Sequence, residues 1–183
     1  LIDYVRPRTL LGLTGTPERA DGLDIFQHFG NRPSAEIRLP DAIERRLLSP
    51  FQYFVISDET VDLTDVRFQG GTFDRRQLEQ RFIGNESRAS LVAEKIQETC
   101  TSPGTIRAIG FCASVAHAEF MADRFESYGI RSVCLTGQTP KQRVHEAVQE
   151  LRRGEIRVIF TVDLLNEGVD IPEVDTILLL RPT

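Results

Sequence analysis

Cysteine is scarce: Cys100, Cys112 and Cys134 stand singly along the chain, and their number is odd. No CxxC pair exists, which excludes a zinc knuckle or a thioredoxin-like redox motif and leaves buried, reduced thiols of a cytosolic protein as the expectation. Long hydrophobic runs are also missing. None approaches the roughly 18–20 residues that a membrane helix needs. The opening residues, LIDYVRPRTL, contain no apolar stretch of the kind that forms a secretory signal, so a cytoplasmic location is expected. The chain starts without Met and in mid-pattern, and therefore reads as part of a longer protein. An excess of positive charge is absent too, the formal net charge being −5. That argues against duplex binding through one broad basic face. It leaves backbone amides, hydroxyls and a few arginines as a means of contacting phosphate.

What is present is an ordinary globular mixture. Apolar residues make up 40% and charged residues 27%, with eleven phenylalanines to fill a core. At 183 residues the chain accommodates one full domain and a fragment of a second.

The C-terminal half is the more legible. Ile106–Phe111, Arg131–Leu135, Arg157–Val162 and Asp175–Leu180 are short apolar runs suited to buried strands. Between the first two, Ser114 can cap a helix reaching about Ser127, with Val115, Ala118, Ala122 and Phe125 on one face and Gly129 just past its end. Between the next two, Thr139 and Pro140 open a helix carrying Val144, Ala147, Val148 and Leu151, which Gly154 closes. Alternating apolar strands and helices predict an α/β domain with a parallel sheet covered on both faces. In the N-terminal half, Thr9–Leu13, Ala35–Leu39 and Phe51–Ile56 read as strands. Asp24–His28 reads as a helical turn and Asp41–Leu47 as a short helix. Residues 57–73 read as a loop, and Asp74–Phe82 and Asn85–Thr99 as helices, the last with Leu91, Val92 and Ile96 inward.

In an open parallel sheet, ligands bind beyond the carboxyl ends of the strands. After the third strand of the C-terminal half stands TVDLLNEGVDIP, residues 161–172. Gly168 would allow backbone to approach a phosphate, and Asp170 could accept from a ribose hydroxyl; a plain polar turn is the competing reading. After the first strand, Ser114 either caps its helix or helps hold a phosphate there. His117, with no second His or Cys near it in sequence, reads as a surface or capping histidine. After the second strand comes Thr136-Gly137-Gln138-Thr139. Arg143, on the first helical turn, is a phosphate partner or a solvated charge.

These segments, taken in order, resemble superfamily-2 DEAD/DEAH-type helicases. LTGTPERADG (13–22) is similar to helicase motif III, AIGFCASVAHAEFMADRF (108–125) to motif IV and LTGQTPKQR (135–143) to the motif IVa region. VIFTVDLLNEGVDIPEVDTILLLRPT (158–183) resembles motif V and the strand before motif VI. The branch most resembled contains XPB-like repair helicases and restriction-enzyme motors. The resemblance implies a three-layer α/β/α RecA-like lobe of the P-loop NTPase type. Residues 1–30 would be the tail of a first lobe, 31–103 a connecting region and 104–183 the core of a second lobe. It implies roles as well: Thr14, Gly15 and Thr16 in coupling, with Gly15 where the family usually has alanine; Glu167, Gly168 and Asp170 toward ATP; Ser114, Thr136, Arg143 and Thr161 toward the nucleic-acid backbone.

The partners implied are nucleic acid, DNA in this branch, and a first lobe of the same parent chain. ATP and Mg2+ are implied for the full-length parent only. The chain has no GxxxxGK[ST], no DExH or DEAD box and no QxxGRxxR helix, so by itself it is expected to hydrolyse nothing. Two other classes compete. A small dehydrogenase-like enzyme is disfavoured because no GxGxxG follows a strand. A non-catalytic RecA-like scaffold lobe is the remaining alternative.

Overall fold

The computed structural model describes residues 2–15, 25–69, 72–165 and 171–181. It divides between Tyr53 and Phe54 into two compact units.

The first unit has little regular structure: helix α1 (Ile2–Val5), a 3-10 turn at Phe26–His28 and helix α2 (Leu39–Glu44). Thr9–Leu13 and Ala35–Leu39 are not strands. Leu11 and Leu13 are exposed, and no described segment pairs with them. A strand without a partner leaves its amides and carbonyls to water, and propensity alone does not hold it. Leu39 instead starts α2, because Pro40 fits the first helical turn, where its missing N–H does no harm. Phe51–Ile56, across the boundary, is likewise unpaired and exposed rather than a strand.

The second unit contains the strands and most of the helices. Residues 57–73, which read from sequence as a loop, include a short antiparallel strand pair, β1 (Phe68–Gln69) with β2 (Thr72–Phe73). Phe68 and Phe73 close it edge to face at 4.9 Å. Helix α3 (Arg75–Phe82) follows, capped by Asp74, whose carboxylate accepts from the amides of Arg76 and Gln77. Helix α4 (Glu86–Thr99) is capped by Asn85. Then come β3 (Ala108–Phe111), α5 (Val115–Ser127), β4 (Ser132–Leu135), α6 (Lys141–Arg153), β5 (Val158–Thr161) and β6 (Thr176–Leu179).

The four later strands form one sheet in the order β4-β5-β3-β6, parallel throughout. Its two faces are covered differently. Val158 and Phe160 of β5, Ala108 of β3 and Leu180 pack with Ala89 and Ile96 of α4 and with Ala118, Met121 and Phe125 of α5. On the opposite face Leu135 and Ile159 pack with Ala147 and Leu151 of α6. The domain is therefore a three-layer α/β/α fold, as the alternation of strands and helices in the sequence requires. β5 is buried at all four positions, whereas the edge strand β6 leaves Ile177 and Leu179 half exposed. Gly129 and Gly154 end α5 and α6 with positive φ, the conformation that glycine tolerates at a helix C-terminus.

Three details depart from the sequence reading. Pro140 is itself the N-cap of α6, while the Thr139 hydroxyl accepts from Thr136 N–H at 2.9 Å. Val115 is exposed. Its place in the core is taken by His117 and Met121, which share the inner face of α5 with Ala118, Ala122 and Phe125.

Candidate functional site

Because β3, β4, β5 and β6 run parallel, the segments that follow them gather at one edge of the sheet. These are Cys112–Ser114, Thr136–Thr139, Val162–Leu165 and Leu180–Arg181. The edge is knit by backbone bonds: Cys112 N–H donates to Thr161 O at 2.7 Å, and Leu180 N–H to Phe111 O at 2.9 Å.

Ser114 sits at this edge as the N-cap of α5, its Oγ accepting from His117 N–H at 3.1 Å, and it is almost buried. The hydroxyl can still donate outward while it caps. Thr136 closes a tight turn: its Oγ1 accepts from Gln138 N–H at 3.2 Å. Thr161 ends β5 and is fully buried, and its Oγ1 has no hydrogen-bond partner. Its side chain is thus not on the surface of the edge, and any contact it makes there requires the following loop to shift. Arg143 lies on α6 but turns along the helix, its two terminal nitrogens on Glu150 at 2.9 and 3.1 Å. That bidentate pair raises the guanidinium pKa. A phosphate approaching Arg143 must compete with Glu150.

Thr14 and Gly15 belong to the first unit, where Gly15 has open space around it. Thr16, Glu167, Gly168 and Asp170 lie outside the described residues.

Several groups at the edge escaped sequence reasoning. Arg181 donates to Asp163 at 2.8 Å and to Val162 O at 3.4 Å, joining the segments after β5 and β6. Its position directly after the fourth strand is the sequence signal that marks it. Arg88, at the start of α4, has no local signal, since its partners are distant in sequence. It is ion-paired with Asp58, donates to Leu180 O at 3.1 Å and stacks on Phe82, 4.2 Å from the ring centroid. Burial lowers its pKa, opposed by Asp58. His117 is wholly buried rather than at the surface, its ring 5.0 Å from that of Phe82.

Burial tunes His117, Cys112 and Cys134 away from acid–base or thiol chemistry. Burial pushes His117 down to about 4, with Arg88 adding to the effect, so the imidazole is neutral near pH 7. Burial pushes Cys112 up to about 12 and Cys134 up to about 11, so both remain thiols and are poor nucleophiles. Among the described residues no group of three His, Cys, Asp or Glu side chains is placed to hold a metal ion, and no helix is long and apolar enough to cross a membrane. Among the described residues the edge offers amides, hydroxyls and paired arginines.

A family model described as "Helicase conserved C-terminal domain" matches residues 91–183. A 51.5 kDa protein of Lactococcus phage (isolate 7-9) is 27% identical over 176 residues, covering 94% of this chain and 36% of that protein. UvrABC system protein B of Natronomonas pharaonis is 27% identical over 156 residues, 78% of this chain and 22% of that protein. The Pyrococcus furiosus Hef helicase domain overlaps with a TM-score of 0.42 at 28% identity, covering 49% of this chain and 19% of that one. The chain thus spans about a third of the phage protein's length and about a fifth of that of the UvrABC protein.

Proposed function

Since the chain belongs to the helicase conserved C-terminal domain family, we propose that it is the second RecA-like lobe of an ATP-dependent DNA helicase or translocase. In this reading the carboxyl edge of the sheet carries two contacts. One is with the nucleic-acid backbone, through the Ser114 and Thr136 loops, Thr161 and a released Arg143. The other is with ATP held between this lobe and a first lobe of the same protein, through Glu167, Gly168 and Asp170. The observation that supports it most directly is the gathering of all four post-strand segments at one edge. Contact to phosphates rather than bases makes the binding nearly independent of sequence.

The nucleotide would supply the energy for lobe closure, and Mg2+ would accompany its phosphates. The residues of this chain assigned to the nucleotide lie outside the described ones. No Walker A sequence or DExH box stands among the 183 residues. The lobe's own part is accordingly to bind and orient, and the chain by itself should show no ATPase.

The test uses the full-length protein. Asp170→Ala should reduce ATPase, and Arg143→Ala should weaken binding of single-stranded DNA. Survival of both activities in the double variant would instead favour a non-catalytic scaffold lobe.

A further inference from the structure

His117 is a buried titratable group that this function leaves unused. It is the third residue of α5, counted from the Ser114 cap, and it is tied into the loop after β3 at two points. Its own N–H donates to Ser114 Oγ at 3.1 Å, and its Nδ1 accepts from Ala113 N–H at 3.3 Å. This is the logic of a capping box, in which a Glu or Gln three residues into the helix reaches back to an amide at its start. Here the reach is to the residue before the cap, and the reaching group is an imidazole.

The choice of imidazole has a chemical consequence. A glutamate in that role sets a carboxylate beside the positive end of the helix and opposes any approaching anion. A neutral imidazole accepts the same N–H and adds no negative charge. It has a drawback as a core residue. With Nδ1 as acceptor the ring proton is on Nε2, which is buried without a partner. A leucine would fill the space without burying a ring N–H, but it would leave the Ala113 amide without its acceptor. The His117 side chain packs on Phe82, 5.0 Å away at the end of α3, and the Arg88 guanidinium also stacks on Phe82, at 4.2 Å. Arg88 in turn holds Leu180 O at the end of β6. Ala113 itself packs with Phe82, Leu78 and Val66.

We propose that His117 is a positioning residue for phosphate contact: it fixes the Ala113–Ser114 loop at the carboxyl edge through a neutral acceptor that leaves the helix N-terminus open to an anion. This rests on the nucleic-acid reading above.

Three variants of this chain and the wild type are compared by anisotropy with a fluorescein-labelled oligothymidylate, by thermal melting and by hydrogen exchange at the Ala113 amide. His117→Gln keeps a neutral acceptor; it should bind within about twofold of wild type and keep the Ala113 amide protected. His117→Leu removes the acceptor. It should bind about fivefold more weakly, the equivalent of one ordinary hydrogen bond, and expose the amide to exchange, while melting no lower than His117→Gln. His117→Met serves the same purpose if the leucine variant does not fold. Binding that instead follows melting temperature across the variants, or a leucine variant that binds like wild type, overturns the positioning role alone. A wild-type chain that does not bind the oligonucleotide overturns the nucleic-acid reading and the positioning role with it.

Discussion

Gly110 and Phe160 face each other across the two central strands, so closely that a Cβ on the glycine would fall 2.5 Å from the phenylalanine ring. The ring also meets Phe125 of α5 edge to face at 4.9 Å. The absence of one side chain on β3 therefore lets one large ring fill the interior between sheet and helix. Gly110→Ala should lower unfolding free energy by about 1–3 kcal/mol, as overpacked cores do. Urea unfolding measures this as a lower midpoint with an unchanged slope. Combining Gly110→Ala with Phe160→Leu should recover part of the loss, because the two sites share one space.

Neutral burial of His117 makes stability depend on pH. Its folded pKa, about 4, lies below the ordinary histidine value of 6.5. The unfolded chain then binds a proton that the folded one refuses, so this contribution to stability is complete above about pH 6.5 and falls as pH drops toward 4. Arg88 of α4 is the charge that bears on the ring. Asp58 neutralises that arginine, and the Phe82 ring of α3 is an uncharged neighbour. The difference in unfolding free energy between wild type and His117→Leu should change by about 2–3 kcal/mol across that interval. A pH-independent difference would refute a neutral buried histidine.

Glu150 holds Arg143 in a bidentate pair away from the edge of the sheet. If Arg143 serves phosphate, releasing it should help. Glu150→Gln should strengthen binding to single-stranded DNA and steepen its salt dependence by about one unit of log–log slope, the signature of one added phosphate contact. Arg143→Ala should abolish that gain. An unchanged salt slope in Glu150→Gln would assign Arg143 to the helix surface only.

Arg88 joins Asp58, Phe82 and Leu180 O in one mostly buried cluster. Arg88→Met keeps the stem packing and removes the charge. It should destabilise the domain by about 2 kcal/mol, less than a fully buried pair would because Asp58 is partly solvated. Asp58→Asn in the same background should restore part of the loss. Thermal or urea unfolding of the two single variants and the double reads this directly.

Much of the second unit was legible in sequence because its signals are local. The four strands were placed to within two residues from apolar runs, and the Ser114, Asn85 and Asp74 helix starts follow from side chains that satisfy amides two or three residues away. The same locality misled in the first unit. Thr9–Leu13 and Phe51–Ile56 have the composition of strands, but a strand exists only when another segment supplies its hydrogen bonds.

The sequence by itself determined the parallel α/β layering, the boundaries of the second unit's helices and the order of the motifs that resemble the helicase family, since each depends on periodicity or on residues close in the chain. Tertiary structure decided the rest. It made His117, a surface or capping residue from sequence alone, a buried acceptor, placed Arg143 on Glu150, enclosed Thr161 at the end of β5 and drew Arg88 and Leu180 together across 92 positions. The physical reason is that the fate of a polar side chain is set by which partners and how much water surround it. In this chain those surroundings are assembled from segments that the sequence keeps far apart.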